Sequence, residues 1–337
     1  MMASSATIAD VRRFLFDTPF GKLMRAADLA RRRALGGDVH LRGIIEFSNC
    51  CCRSCLYCGL RTVNTNLERY WMEPQEVADL AVAVFRQGIR TVVLQSGDDL
   101  AYSVRDISWI VRSIKNRADM AVTLSVGERP VSHYEAWRAA GADRFLMKHE
   151  TANPELYARM HPGKTLGERL ECLTALKRLG YELGTGFIVG LPGQTEEDLA
   201  TDVELVRALG ADMCGVGPFV PQADTPLSNH PGGSVETTLR MVAGLRLMLS
   251  RIHLPATTAL ATLCETGQDA ALRAGADVLM PNFTPATRRA QYRIYDGKAR
   301  VGLDEARRTI LGAGRTIGEG LGGRTQCERP PRACACT

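Results

Sequence analysis

At 337 residues the chain is long for one ordinary domain, yet it suits a (β/α)8 barrel of roughly 250 residues with terminal extensions. Its 45% hydrophobic content is enough for a large core, while a net charge of +5, no basic run longer than Arg31-Arg32-Arg33 and no interleaved aromatics argue against nucleic-acid binding. No apolar run approaches the about 20 residues that span a membrane, residues 1–20 lack a signal-like apolar core, and the cysteines of so large a chain read as reduced thiols, so a cytoplasmic protein is expected.

Residues 7–36 carry two helical stripes. Val11, Phe14 and Leu15 form the first, and Leu23, Ala26, Ala27, Leu29 and Ala30 form the second, which Gly36-Gly37 stops. These helices, an N-terminal extension over residues 1–40, are expected to plug one end of a barrel. From Leu41 short apolar runs alternate with helical patterns. Strands are expected at 43–48, 91–94, 120–125, 144–149, 184–189, 212–216, 255–259 and 278–281. Helices are expected at 74–87, 103–116, 131–140, 166–179, 196–208, 235–250, 269–273 and from 303 to about 313. Eight such β/α turns predict an α/β fold, a closed parallel TIM-type barrel over residues 41–320. The Gly- and Arg-rich remainder, 321–337, is expected to be an unstructured tail.

The first strand runs into Cys51-Cys52-Arg53-Ser54-Cys55-Leu56-Tyr57-Cys58. Cys51, Cys55 and Cys58 fall at i, i+4 and i+7, whereas the same spacing from Cys50 meets Ser54 and from Cys52 meets Leu56. Three thiolates on one compact loop suit three corners of a cubane iron–sulfur cluster whose fourth iron stays open. Structural zinc would want a fourth protein ligand, and no Cys or His partner stands nearby in the sequence. An open iron can take the amine and carboxylate of S-adenosylmethionine (SAM) and pass an electron into its sulfonium. A plain cluster of buried thiols, or zinc, is the competing reading.

A loop at the C-terminal end of a barrel strand stands where barrel active sites are built, so polar groups at the other strand ends become candidates. Ser96-Gly97 offers backbone groups after strand two. Thr123 and Ser125 share a face of strand three, and Lys148 and Glu150 share a face of strand four. Arg169 could pair with Glu150 or clasp a carboxylate. Gly184, Gly186 and Gly190 thin strand five for close approach of a ligand. Met213 suits either the core or an adenine face. Thr257 and Thr258 end strand seven, and Tyr292 with Arg293 could lid the cavity. His149 reads as a packing residue, and Cys172, Cys214 and Cys264 read as core thiols.

Ile45-Glu46-Phe47-Ser48-Asn49, the cysteine loop and Leu56-Tyr57-Cys58-Gly59-Leu60-Arg61 resemble the radical SAM maturases of [FeFe]-hydrogenase, the HydE family. The resemblance continues through Val93-Leu94-Gln95-Ser96-Gly97, His149-Glu150-Thr151-Ala152-Asn153-Pro154, Val189-Gly190-Leu191-Pro192-Gly193-Gln194-Thr195 and Pro255-Ala256-Thr257-Thr258-Ala259. It covers about residues 10 to 320. It implies a full barrel with an N-terminal helical cap, one [4Fe-4S] cluster on Cys51, Cys55 and Cys58, and SAM beside Tyr57, Gln95, Ser96, Gly97, Glu150, Arg169 and Met213. Arg42, Thr123, Lys148, Thr257, Thr258 and Tyr292 would line the substrate cavity.

The implied activity is reductive cleavage of SAM, then attack of the adenosyl radical on a sulfur of an organometallic, cysteine-derived substrate. That step serves the diiron precursor of the hydrogenase active site. Implied partners are the maturases HydG and HydF and an electron donor such as ferredoxin or flavodoxin, with no nucleic acid and no membrane. Two departures stand out. Lys148 occupies a position where many members carry Arg, which exchanges a fork for a point charge. The stretch 298–311, where some members carry a second cluster, has no cysteine, and Cys327, Cys334 and Cys336 come later at another spacing. Biotin synthase and methylornithine synthase resemble the same loop and fold, and a cluster carrier that uses SAM only structurally is the non-catalytic alternative.

Overall fold

Short runs rich in Val, Ile and Leu, apolar on both faces, are what a parallel sheet covered by helices requires. They form β1 (Asp38–Leu41), β2 (Gly43–Ser48), β3 (Thr91–Ser96), β4 (Ala121–Ser125), β5 (Arg144–Leu146), β6 (Glu182–Val189), β7 (Met213–Pro218), β8 (Val278–Leu279) and β9 (Thr316–Ile317). The computed structural model describes residues 6–323. Strands β2 to β7 form a six-stranded parallel sheet in sequence order.

Two further staves close that sheet. Residues 253–255 bridge Met213 on one side and Val278 on the other. The β8 stretch pairs with β1, and Asn282 bridges Ile44 of β2, so the chain returns to the first strand and the barrel has eight staves. The closing ladder includes Ile44 N–H to Pro281 O at 2.9 Å and Phe283 N–H to Ile44 O at 2.8 Å. The seventh stave lies earlier than its apolar run suggested. Thr258 already opens a helix, Thr258–Leu263, with Thr257 at its N-cap, because backbone pairing with Asp212 and Cys214 is satisfied at His253.

The helices follow the expected alternation, and four carry a reciprocal Ser/Thr and Asp/Glu capping box at Thr7, Ser103, Thr165 and Thr195. Short helices at Pro154–Met160 and Ala286–Arg289 were not visible as periodic patterns. The N-terminal pair, Ile8–Phe16 and Phe20–Leu35, does not plug an end. It packs on the outer helices Glu196–Ala208, Val235–Met248 and Gly267–Arg273. Leu15 presses onto Gly244, where an added Cβ would sit 2.1 Å from Leu15 Cδ2.

The N-terminal mouth is crossed instead by the C-terminal segment. Strand β9 pairs with β1. Leu321 O accepts from Thr91 Oγ1 and an Arg144 Nη, both at 2.8 Å, and Gly322 O accepts from Arg42 at 3.0 Å. Residues 321–323 are therefore ordered by buried donors, in contrast to the expected loose tail. The rest of that tail, with Cys327, Cys334 and Cys336, lies outside the described residues. Burial lowers the Arg42 guanidinium to about 9, and the neighbouring Arg144 charge acts the same way.

A buried ion pair fastens this end. Asp277 accepts from Arg246 at 2.9 Å, from His253 Nδ1 at 2.6 Å and from Leu254 N–H at 2.7 Å. Burial alone would raise the Asp277 carboxyl, but the His253 hydrogen bond and the Arg246 charge bring it down to about 2. A folded-state value below the unfolded one stabilises the fold at higher pH, and that contribution is lost as pH falls from about 4 toward 2. Asp277→Asn leaves Arg246 buried without its counter-charge and is expected to cost about 3–5 kcal/mol in denaturant unfolding. The same variant should flatten the acid limb of a stability–pH curve.

Candidate active site

The C-terminal ends of the staves surround a cavity of about 380 Å³, within the range of small-molecule sites. Cys51, Cys55 and Cys58 line it, together with Tyr57, Gln95, Ser96, Gly97, Lys148, Glu150, Arg169, Met213, Thr257, Thr258 and Tyr292. Residues drawn from seven separate stretches of chain thus share one space. Arg42 and Thr123 lie lower in the barrel and are buried. Arg42 donates to Met213 Sδ at 2.8 Å, and Thr123 Oγ1 has no partner among the described residues.

The cysteine loop leaves β2 and is pinned from several sides. Cys52 N–H donates to Asp98 O, Leu56 N–H to Met160 O and Thr62 N–H to Arg53 O. Gly97 permits this packing, since a Cβ there would stand 2.3 Å from Cys50 O and 2.6 Å from Cys51 Cβ. Burial is the main force on the thiols. It pushes Cys51 up to about 11, Cys58 up to about 12 and Cys55 well above its ordinary value; the charge of Cys51 raises Cys55 and Cys58 further, and that of Cys58 raises Cys55. Binding iron is what would make thiolates stable in so dry a place.

Among the described residues no three His, Cys, Asp or Glu side chains converge on a point suited to one metal ion. A cubane spreads its thiolates over three different irons, farther apart than the ligands of a single ion. Three soft donors lining one open cavity fit three corners of such a cluster.

The rim charges are arranged differently from the sequence expectation. Arg169 pairs with Glu128 at 2.7 Å, not with Glu150, and donates to Lys148 O at 2.8 Å. Glu150 pairs with Lys148 at 2.9 Å. Burial would raise the Glu150 carboxyl, but the charge and hydrogen bond of Lys148 hold it below its usual value. Glu128 also receives Arg53 at 2.9 Å and Lys164 at 3.1 Å, and Arg53 reaches Asp98 at 2.6 Å. Tyr57 OH meets His161 Nε2 at 2.8 Å.

Among the described residues Glu150 is the one non-glycine with positive φ, at +66°. Its N–H bonds to Gly186 O and its O accepts from Ile188 N–H, both at 3.0 Å, so β6 holds it in that conformation. Gly186 and Gly184 make room for protein, not for a ligand. Added Cβ atoms there would meet Gly215 O at 2.1 Å and Met213 Cε at 2.6 Å.

Sequence reasoning passed over Arg53, Asp98, Glu128, His161, Glu46 and Lys298, all at or beside the cavity. Glu46 had a signal, a carboxylate inside an apolar strand; it is buried, and it accepts from Asn282 at 3.0 Å and from Lys298. Lys298 stands 4.8 Å over the Tyr292 ring and carried no local signal. Tyr292 is a cavity wall, whereas Arg293 is exposed and bonds to Asn66 O. His149 sits outside the cavity, bonded to Thr185 at 2.9 Å. Cys214 is buried, and Cys172 and Cys264 are half-buried.

Barrel, thiol loop and rim define an enzyme of the radical SAM superfamily, and residues 45–206 match that superfamily. The [FeFe] hydrogenase maturase subunit HydE of Thermotoga maritima is 49% identical over 82% of this chain and 79% of its own length. A 3-methylornithine synthase of Methanosarcina acetivorans is 26% identical over 77% of this chain and 73% of its own. The crystal structure of methylornithine synthase (PylB) superposes with a TM-score of 0.80 at 24% identity over 94% of both chains, a likeness of fold. The chain belongs to the HydE family, the radical SAM enzymes of [FeFe]-hydrogenase maturation. It works with a [4Fe-4S] cluster and SAM. No helix among the described residues is long and apolar enough to cross a membrane.

Gly97→Ala is expected to displace the Cys50–Cys51 backbone, since Cys50 O has no flexible end to swing away. Iron bound per chain after anaerobic reconstitution should fall well below wild type, with the barrel's circular dichroism unchanged.

Proposed function

We propose that Cys51, Cys55 and Cys58 hold the cluster and that SAM lies across the upper cavity, against Tyr57, Gln95, Ser96, Gly97, Glu150, Arg169 and Met213. The observation that carries this reading is the convergence of the three thiols and these side chains on one cavity at the C-terminal rim. Held by these residues, the cluster and SAM would supply one-electron radical chemistry.

The chain's own groups orient and shield. Arg169, already oriented by Glu128, offers its remaining donor capacity to a carboxylate. The Lys148–Glu150 pair can open to receive an ammonium or an anion, with Glu150 kept ionised by Lys148. The buried Thr257 hydroxyl has no partner among the described residues and faces the cavity wall that also carries Thr258 and Tyr292. An unpaired buried hydroxyl costs about 1–3 kcal/mol, which a bound substrate would recover. Apolar walls from Ile188, Phe219 and Ile294 exclude water from a reactive species.

Below this layer the unpaired Thr123 hydroxyl would add a donor for an anionic, cysteine-derived organometallic substrate, and Arg42, held by Met213 Sδ and Gly322 O, would contribute its positive charge from beneath. The product would feed the diiron precursor, with HydG supplying substrate, HydF receiving product and a ferredoxin or flavodoxin providing the electron, in the cytoplasm. The 26% identity to a methylornithine synthase carries no comparable weight.

Cys51→Ser is expected to abolish the iron–sulfur absorption of reconstituted protein and all formation of 5′-deoxyadenosine. Arg169→Ala should keep the iron and weaken SAM binding in calorimetry by about 1.5–3 kcal/mol, the contribution of hydrogen bonds to a charged group. Equal loss of iron in both variants would refute this division of roles.

A further inference from the structure

Arg69 lies on the segment that leads from the cysteine loop back to the Pro74–Arg86 helix. One Nη donates to Asn49 O at 2.7 Å and Leu60 O at 2.9 Å. The other donates to Arg61 O at 2.7 Å and Asn64 O at 3.3 Å. Asn49 precedes the three cysteines, and the other three residues follow them. A single guanidinium fork therefore spans both ends of the loop.

The surrounding amides reinforce this frame. Asn49 Nδ2 donates to Glu68 O at 2.8 Å and its Oδ1 accepts from Tyr70 N–H at 2.7 Å, while Asn64 Nδ2 donates to Gly59 O at 2.8 Å. Among the described residues no carboxylate pairs with Arg69, and the protein groups that accept from its guanidinium are these four neutral carbonyls. Two of the accepting carbonyls, on Asn49 and Leu60, belong to residues two positions from Cys51 and from Cys58, so the guanidinium stands beside the loop that carries the thiols.

We propose that Arg69 is a positioning residue for the cluster: it ties the two ends of the cysteine loop through four carbonyls, and its unneutralised charge makes the cluster easier to reduce. The proposal rests on Cys51, Cys55 and Cys58 being the ligands. Reduction moves one electron from an external donor onto the cluster iron, with no bond made or broken, and adds one negative charge to a group already bearing three thiolates. A nearby cation in a poorly solvated site stabilises the more negative state. Lysine in its place would keep the charge but, as a point donor on a flexible stem, could not bridge both ends at once.

The test uses the full chain, reconstituted anaerobically with iron and sulfide and titrated with dithionite against redox mediators, the reduced cluster being read by electron paramagnetic resonance. Arg69→Gln is expected to lower the cluster's electron affinity about tenfold, which for one electron is about 59 mV toward negative potential. Arg69→Lys should stay within about threefold of the wild-type affinity, yet give up iron to a chelator about fivefold faster than wild type. A wild-type potential in Arg69→Gln overturns the proposal, and so does a wild-type rate of iron loss in Arg69→Lys.

If Arg69→Gln takes up no cluster, the apoprotein decides. Iodoacetamide should then alkylate Cys51, Cys55 and Cys58 about fivefold faster than in wild type, because the loop opens more often. A wild-type alkylation rate overturns the proposal. Cys51→Ser distinguishes the two layers of the argument. If that variant still loads a cluster, the ligand assignment fails and Arg69 falls with it; if it is iron-free while Arg69→Gln behaves as wild type, only the Arg69 proposal fails.

Discussion

Closure of the parallel barrel is the constraint on which everything else rests. Residues 253–255 and 278–282 each contribute only a few ladder hydrogen bonds, yet they join β7 back to β1 and β2. Once the ring is shut, every parallel stave ends on the same rim, and the loops leaving those ends face one another. Cys51, Gly97, Glu150, Met213, Thr257 and Tyr292 are far apart in the chain and share a cavity because of that geometry. An open sheet of the same strands would leave the last of these residues on a distant edge.

The opposite end is held by a different device. Arg42, Thr91, Arg144 and His253 all donate or turn toward carbonyls of 321–323, and Asp277 gathers Arg246 and His253 beneath them. Buried guanidinium groups are costly to leave without acceptors. The C-terminal segment supplies one carbonyl each to Arg42 and Arg144, which is why residues that look like a loose Gly-rich tail lie in place. This division, stability at the N-terminal mouth and chemistry at the C-terminal rim, is general for such barrels.

The rim combines strain with dense charge. Glu150 is kept in a left-handed conformation by two backbone bonds to β6, and its side chain is held by Lys148. Glu128 gathers Arg53, Arg169 and Lys164 and so couples the cysteine loop to the helix that starts at Leu166. Backbone strain of this kind persists only where the surroundings over-determine it, and it concentrates at functional sites. The cysteine loop has the same character: Gly97 lets it pack closely, and Arg69 and Asn49 draw its ends together.

The spacing of Cys51, Cys55 and Cys58, the alternation of apolar runs with helical periods and the capping pairs are local, so the linear order of residues determined the three-cysteine loop, the barrel class and most helix limits. What local pattern could not contain was which partner each charge would meet. Arg169 finds Glu128 and not Glu150 because the loop after β4 reaches it across the rim. The glycines of β6 look like space for a ligand and prove to be space for Gly215 and Met213. The N-terminal helices carry amphipathic stripes that demand burial without saying against what, and only the assembled outer layer settled that they lie along its helices. Pairing across long sequence separation depends on the closed ring, and no window of sequence encodes the distance between two residues that the ring brings together.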